Sequence, residues 1–251
     1  MMREQITSRK NPLLQHVKKL LSNRSYRESC GEYAADGIKL LDEAIKWTPE
    51  ALRTVLVTRK VVPENLPDHV RLVEIPDDIM AQISPMEAPQ GALFTCALPR
   101  EEAFELPRCC LVLDGLQDPG NLGTILRTAD AMDIPVVLTP GCADAYSHKV
   151  VRASMGAVFR TKPLWADHET VADQCLEKKI PLCVTALSER AVDIRSADLN
   201  KVALVIGSEG RGAGPYFLER ADKELIIPMS ERCESLNAAI AAAIVMWEMR
   251  R

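Results

Sequence analysis

The chain has 251 residues and a net charge of −4, with 47% hydrophobic and 26% charged residues. This length allows one large domain or two modest ones, and the composition excludes a disordered or fibrous chain. No apolar stretch is long enough to cross a membrane, and the first 15 residues lack the apolar core of a secretory signal. We therefore expect a soluble, cytoplasmic protein.

Eight cysteines occur along the chain, at Cys30, Cys96, Cys109, Cys110, Cys142, Cys175, Cys183 and Cys233. An even count indicates disulfides in a secreted chain, but nothing here indicates secretion. No pair has the CxxC spacing of a zinc site. We expect most of these thiols to be reduced core residues, and we expect no bound metal.

The positive charge is concentrated near the N-terminus. Residues 1–27 contain seven basic residues against the single acid Glu4, namely Arg3, Arg9, Lys10, Lys18, Lys19, Arg24 and Arg27. A basic end on an acidic chain is compatible with a nucleic-acid contact surface. It is equally compatible with the solvated face of a helix, and charge alone leaves both interpretations open.

Residues 1–98 predict two helices followed by short strands. Helical spacing covers Asn11–Ser29 and Gly37–Trp47. Strand patterns cover Arg53–Thr58, Arg71–Ile75 and Ala92–Leu98. A Pro-bounded charged stretch follows, and we predict a linker at residues 99–108.

Residues 109–251 alternate between continuous apolar runs and helical patterns. The runs are Cys109–Asp114, Pro135–Thr139, Pro181–Leu187, Lys201–Gly207 and Lys223–Met229. Such runs are typical of parallel strands that are covered on both faces, and the alternation indicates an α/β fold. No repeat or low-complexity segment is present.

The first polar motif follows the strand that ends at Asp114. It comprises a Pro-Gly turn and a helix that opens near Asn121, a residue able to cap it. Arg127 lies six residues later, away from the packed positions. Alone, this segment is better explained as a capped helix with a surface arginine than as part of a site.

The second motif is the segment Leu204–Gly214, in which a buried strand runs into a glycine-rich loop. The loop lacks the Walker pattern, and its GxGxG spacing differs from the GxGxxG of dinucleotide sites. Glu209 would place a carboxylate where phosphates lie. The loop therefore favours a ligand with cationic or hydrogen-bond-donating groups over a pyrophosphate.

The third motif, Ile226–Arg251, contains a strand end, a Pro-containing loop and an alanine-rich helix that Ser235 can cap. Its small residues permit close packing within the chain or across a dimer. Because loops at the carboxyl ends of parallel strands form ligand sites, the three motifs together bring candidate polar groups to one edge of the sheet. These groups are Asn121, Arg127, Glu209, Ser235 and Asn237.

In order and spacing, the three motifs resemble those of the SpoU (TrmH) family of RNA methyltransferases. The resemblance is carried by PGNLGTILRTADA at 119–131, LVIGSEGRG at 204–212, and IPM with ESLNAAIAAAI at 227–244. It covers about 140 residues from Cys109 onward. The N-terminal region resembles the small ribosomal-protein-like, RNA-binding domain that many members carry. Two positions depart from the family, which usually has Gly at Asp133 and at Glu231.

The resemblance implies a SPOUT-type parallel sheet with a C-terminal trefoil knot, preceded by an RNA substrate-binding domain at 1–98, with catalysis in 109–251. It implies homodimers that transfer methyl from S-adenosylmethionine to a ribose 2′-hydroxyl. The residues expected to bind the cofactor are Thr185, Gly207, Gly210, Ile227, Met229 and Leu236. The analogy favours ribosomal over transfer RNA as the partner.

By the same resemblance Arg127 is the central catalytic residue, either as general base or as a bidentate clamp on an RNA phosphate. A guanidinium holds its proton near neutral pH, so the base role needs strong local help. Asn121, Glu209, Ser235 and Asn237 would position the reactants. Two alternatives are a nucleotide-dependent dehydrogenase, disfavoured by the glycine pattern, and a non-catalytic ribosome-assembly factor of the same fold.

Overall fold

The computed structural model describes residues 4–100, 103–230, 232 and 234–251. The chain packs into two compact units, which we describe separately. Unit 1 comprises Met1–Glu101 and Asp144–Arg160, and unit 2 comprises Glu102–Ala143 and Thr161–Arg251. No helix in the described ranges is long and apolar enough to cross a membrane.

The strands, in chain order, are β1 Glu4–Gln5, β2 Glu32–Asp36, β3 Leu52–Val57, β4 Arg71–Glu74, β5 Ala92–Ala97, β6 Cys110–Asp114, β7 Val136–Leu138, β8 Leu164–Trp165, β9 Leu182–Thr185, β10 Val192–Asp193, β11 Ala203–Gly207 and β12 Lys223–Ile226. The helices are α1 Pro12–Ser22, α2 Arg24–Cys30, α3 Ile38–Trp47, α4 Asp77–Ile83, α5 Pro119–Ala131, α6 His148–Ala153, α7 Ala157–Arg160, α8 His168–Lys178, α9 Pro215–Leu218 and α10 Ala238–Met249. Short 3₁₀ turns occupy Pro49–Ala51 and Ile194–Ser196.

Unit 1 contains a five-stranded mixed sheet in the order β1-β4-β3-β5-β2. The pairs β1/β4 and β4/β3 are parallel, whereas β5 runs antiparallel to β3 and β2. Leu14, Val17 and Leu20 of α1 are fully buried against the sheet core, as the helical spacing requires. The two strands β1 and β2 and the helix α4 were not predicted.

The basic segment Asn11–Ser29, predicted as helical, forms two helices that are separated at Asn23. The backbone of Asn23 is extended, and its side chain accepts a hydrogen bond from Tyr26 N, so the residue caps the second helix. The break turns Arg27 inward, where it is 5% exposed, pairs with Asp144 and donates to the Leu20 carbonyl at 2.6 Å. Arg27 is therefore a structural residue of unit 1.

Two further basic residues of the N-terminal segment form surface ion pairs, Arg9 with Asp78 and Arg24 with Glu28. Lys10, Lys18 and Lys19 have no ion-pair partner within the described part of the chain. Arg3 lies outside the described residues. Some of the N-terminal positive charges are therefore paired with acids, whereas these three lysines are not, although Lys19 Nζ lies over the Tyr26 ring at 5.3 Å.

Unit 2 contains a seven-stranded sheet in the order β10-β12-β9-β11-β6-β7-β8, and all its neighbouring pairs are parallel. The α/β fold with a parallel sheet is therefore confirmed. β6 and β11 lie at the centre and are buried along their whole length, as the continuous apolar runs predict. Their register pairs Gly207 with Asp114, so both strands end at the same edge.

The segment predicted as a linker is partly docked on unit 2. Leu106 is 2% exposed and belongs to the core of this unit. Gln174 of α8 accepts a hydrogen bond from Leu106 N at 2.6 Å and donates to the Phe104 carbonyl at 3.0 Å. Phe104 and Leu106 are therefore hydrogen bonded to α8. Glu101 and Glu102 lie outside the described residues.

Candidate functional site

A cavity of about 670 Å³ lies at the carboxyl ends of β9, β11 and β12. Its volume falls in the range of roughly 300–1,000 Å³ that is typical of small-molecule sites. All six residues predicted to bind a cofactor line it, namely Thr185, Gly207, Gly210, Ile227, Met229 and Leu236. The ends of parallel strands thus form the predicted concave site.

The wall of the cavity combines apolar and acidic groups. Leu218, Ile226 and Ala238 extend its apolar surface, and the carboxylates of Glu209, Glu224 and Glu234 lie along it; Arg190 and Arg211 also line it. The three carboxylates outnumber the two guanidiniums, so the wall has a net negative charge and suits a ligand with an apolar body and a positive charge.

Backbone contact shapes the glycine loop at the end of β11. A Cβ atom on Gly207 would lie 1.8 Å from the carbonyl carbon of Gly212, so only glycine fits there. Ser208 and Gly212 exchange two backbone hydrogen bonds of 3.0 and 2.9 Å, which close a tight hairpin. Glu209, Gly210 and Arg211 form its tip.

Asp118, and not Asn121 as predicted, caps the helix of the first motif. The Asp118 side chain accepts from Asn121 N at 2.7 Å, and Pro119 occupies the first helical position, where its missing N–H costs nothing. The side chain of Asn121 is thereby free for other contacts. Its Nδ2 donates to Glu209 Oε1 at 2.5 Å.

Similarly, the C-terminal helix α10 is capped by Asn237 and not by Ser235. Asn237 Oδ1 accepts from Ala239 N and Ile240 N at 3.0 and 3.3 Å, because it stands directly before the first helical residue. Its Nδ2 donates to Asn121 Oδ1 at 3.0 Å. Ser235 lies in the cavity wall instead.

The side chains of Asn237, Asn121 and Glu209 therefore form one hydrogen-bonded chain. Each of these residues belongs to a different one of the three motifs. Asn121 is 88 residues from Glu209 and 116 residues from Asn237 in the sequence. The structure thus brings together the three motifs, as expected from their positions at the ends of parallel strands.

Arg127 projects from the exposed side of α5. Its side chain has no hydrogen-bond or ion-pair partner in the part of the chain that the structure describes. It is absent from the described cavity wall, as are Asn121 and Asn237. The guanidinium is consequently available to an external anion.

A sequence profile of the SpoU rRNA Methylase family matches residues 108–247, more than half of the chain. The chain belongs to this family. Its site therefore lies in a SPOUT-type α/β domain, the superfamily that contains SpoU methylases. A second profile, that of the MRM3-like substrate binding domain, matches residues 11–93.

Individual relatives agree with the profile. The chain is 32% identical to the 23S rRNA (guanosine(2553)-2′-O)-methyltransferase of Bacillus subtilis, over 98% of this chain and 99% of that protein. It is 29% identical to the human mitochondrial rRNA methyltransferase 3, over 95% of this chain and 72% of that protein.

Solved structures show the same fold. A Porphyromonas gingivalis protein described as a member of the TrmH family of RNA methyltransferases superposes with a TM-score of 0.83 at 34% identity, covering 94% of this chain and 96% of that one. An AdoMet-bound rRNA methyltransferase from Sinorhizobium meliloti superposes with a TM-score of 0.85 at 27% identity, covering 98% and 97%.

One departure from the usual SpoU sequence has a conformational explanation. Asp133, where the family usually has Gly, adopts a left-handed backbone with φ of +51° just after Met132, the C-cap of α5. Ile134 N donates to the Ala129 carbonyl, and Asp133 N donates to the Asp130 carbonyl. These two hydrogen bonds form a Schellman motif, in which Gly is favoured at the left-handed position. Asp tolerates this region better than most residues. The second departure, Glu231, lies outside the described residues.

Two groups beside the site were not predicted from the sequence. Asp114 is 7% exposed and accepts a hydrogen bond from Gly214 N, the residue that ends the glycine loop. A polar residue at the end of an apolar strand was the available signal. Glu224, 9% exposed, is hydrogen bonded by Ser188 and Arg190 in the cavity wall. No sequence pattern marked this second group.

Proposed function

We propose that this chain transfers the methyl group of S-adenosylmethionine to a ribose 2′-hydroxyl in ribosomal RNA. The observation that carries the proposal is the hydrogen-bonded chain Asn237–Asn121–Glu209 beside the glycine-lined cavity. The Bacillus subtilis relative, matched over nearly its full length, is named as a 23S rRNA 2′-O-methyltransferase. This supports ribosomal over transfer RNA as the substrate.

The residues of the cavity fit the methyl donor. The apolar side chains of Ile227, Met229 and Leu236 suit an adenine ring, and the glycine backbone at Gly207 and Gly210 allows close approach. When bound, S-adenosylmethionine supplies a methyl group on a positively charged sulfur. Glu209 faces that cavity with a carboxylate, which favours a cation.

Arg127 holds the RNA. Its exposed, unpaired guanidinium is suited to a bidentate grip on the phosphate next to the target ribose, which would orient the 2′-hydroxyl. A guanidinium keeps its proton near neutral pH, and no described carboxylate is paired with it. The clamp is therefore favoured over the role of general base.

Asn121 orients the site from the first turn of α5. It donates to Glu209 and accepts from Asn237, so its amide is fixed on both sides. Ser235 stands in the cavity wall, where its hydroxyl can contact the methyl donor. These residues position the reactants, and positioning is a main source of rate when the nucleophile is a weak one.

The chain works as a homodimer in this proposal. Ile240 and Trp247 of α10 are 54% and 67% exposed, and with Ile244 they form an apolar stripe at helical spacing. A second copy of the chain is the proposed cover of this stripe. Trp247→Glu is expected to yield a monomer in light scattering, whereas an unchanged mass would exclude the stripe as the interface.

RNA is also bound by the N-terminal domain, through Lys10, Lys18 and Lys19, which form no ion pair in the described part of the chain. The match to a substrate-binding domain over residues 11–93 supports this assignment.

The C-terminal segment forms a trefoil knot, as the membership in the SPOUT superfamily suggests. In this proposal the reaction takes place in the cytoplasm.

Transfer of labelled methyl from S-adenosylmethionine to unmodified ribosomal and transfer RNA tests the proposal. Label in ribosomal RNA that resists alkaline cleavage at its nucleotide is the expected result. Label confined to transfer RNA would refute the substrate class. Absence of label in both pools, with the methyl donor bound, would favour a non-catalytic assembly factor.

A further inference from the structure

Asp114, at the carboxyl end of the central strand β6, holds a buried carboxylate with three hydrogen-bond partners. Its Oδ2 accepts from Gly214 N at 2.7 Å. Its Oδ1 accepts from His168 Nε2 at 2.8 Å and lies 3.2 Å from Thr139 Oγ1. The side chain is 7% exposed, so these contacts replace its hydration.

Asp114 contacts both ends of the glycine loop. Gly207, where the loop begins, pairs with Asp114 in the sheet register. Gly214, where the loop ends, donates to the Asp114 carboxylate. The hairpin between them carries Glu209, the residue that receives the hydrogen bond from Asn121. The position of Glu209 therefore depends on a residue outside the cavity wall.

His168 extends this anchor to the segment after the loop. It is the first residue of α8, a helix capped by Asp167. Its ring centre lies 5.8 Å from that of Tyr216 and 5.1 Å from that of Phe217, both in α9 directly after Gly214. The imidazole thus contacts α9 and bonds the carboxylate that holds Gly214.

We propose that Asp114 and His168 are positioning residues, which hold the glycine loop in the conformation that binds the methyl donor and presents Glu209 to Asn121. Neither lines the described cavity, so neither is expected to contact the methyl donor. The inference rests on the proposed function, because its consequence is a change in affinity for the donor. The loop anchoring itself is measurable without any ligand.

The test compares His168→Leu with His168→Gln. Leu removes the donor to Asp114, whereas Gln can place an amide N–H near the position of Nε2. In His168→Leu, amide hydrogen exchange at Ser208, Gly212 and Gly214 is expected to rise about tenfold, and S-adenosylhomocysteine to bind about tenfold more weakly by calorimetry. His168→Gln is expected to restore most of both.

His16→Leu is the matched control. His16 Nε2 lies 3.1 Å from Glu32 Oε2 in unit 1, with a side-chain exposure of 26% against 33% for His168. This variant is expected to leave exchange in the glycine loop and binding of S-adenosylhomocysteine unchanged.

Equal exchange at the three amides in His168→Leu and in the unsubstituted protein would overturn the inference, whatever the activity. Equal loss in the Leu and Gln variants would also overturn it, since the hydrogen bond would then be irrelevant. Should His168→Leu unfold at the assay temperature, Asp114→Asn replaces it and is expected to raise exchange at Gly214. A protein with an anchored loop but no methyl transfer would instead refute the proposed function alone.

Discussion

A Cβ atom on Gly207 would lie 1.8 Å from the carbonyl carbon of Gly212, so the two ends of the loop hairpin touch through their backbones. A contact this short with backbone atoms cannot be relieved by a side-chain movement.

Gly207→Ala is expected to lower the free energy of unfolding by roughly 1–3 kcal/mol, as overpacking does, and to abolish binding of S-adenosylmethionine. Calorimetry and thermal melting check both effects. Gly210→Ala serves as the stability control, because a Cβ there meets nothing within 4 Å. A Gly207→Ala protein that melts like the unsubstituted chain would contradict the close contact.

Arg127→Lys and Arg127→Ala are expected to reduce methyl transfer by at least about 100-fold, as losing a positioned charge donor commonly does, while binding of the methyl donor is retained. Stability should change by no more than about 0.5 kcal/mol, because the side chain is exposed. Labelled-methyl transfer and calorimetry separate the two effects. Near-full activity in Arg127→Lys would rule out the bidentate clamp, since an ammonium cannot form it.

Much of the sheet in unit 2 could be predicted from the sequence. The five apolar runs coincide with β6, β7, β9, β11 and β12, because strands that are covered on both faces must be apolar along their length. The two-residue strands β8 and β10 were missed, since so short a segment carries no periodic signal.

The cap residues were predicted wrongly for a physical reason. Both Asn121 and Ser235 are good caps by residue type, but Asp118 and Asn237 are better placed before the first helical turn.

The membership of Asp144–Arg160 in unit 1 had no local signal at all. It depends on tertiary partners such as the pair Arg27–Asp144, which are separated by 117 residues.

Arg27→Ala is expected to destabilise unit 1 by about 3–5 kcal/mol, because it leaves the Asp144 carboxylate without its buried partner. Urea unfolding measures the change. Arg24→Ala is the control, since the exposed pair Arg24–Glu28 contributes only about 0.3–0.5 kcal/mol. Equal effects of the two substitutions would contradict the structural role assigned to Arg27.

Asp133 gives a prediction about the helix end. Asp133→Val is expected to lower the free energy of unfolding by about 1–2 kcal/mol, because a β-branched residue is strained at φ of +51°. Asp133→Gly should change it by less than about 1 kcal/mol, since the relief of strain is offset by the greater freedom of the unfolded chain. A Val variant as stable as the Gly variant would argue against the left-handed conformation.

The buried thiols predict a loss of stability at alkaline pH. Burial raises the pKa of Cys96 and Cys175 to about 12, and that of Cys183 to about 11, from a usual value of 9.0. A thiol with a raised folded-state pKa contributes stability that is complete below pH 9 and is lost as the pH approaches the folded-state value, because the unfolded chain releases its proton first. The free energy of unfolding is therefore expected to fall between pH 9 and 11, by up to about 1.4 kcal/mol per pH unit for each such thiol.

Urea unfolding at pH 8, 9.5 and 10.5 measures this decline, and Cys183→Ala should make it shallower. Iodoacetamide labelling with peptide mapping provides a second measure, in which the exposed Cys30 reacts readily and the buried Cys96, Cys175 and Cys183 are protected at pH 8. A free energy of unfolding that stays constant up to pH 10.5 would contradict the raised pKa values of these thiols in the folded protein. Rapid labelling of Cys183 in the folded protein would show that β9 is less well buried than its packing indicates.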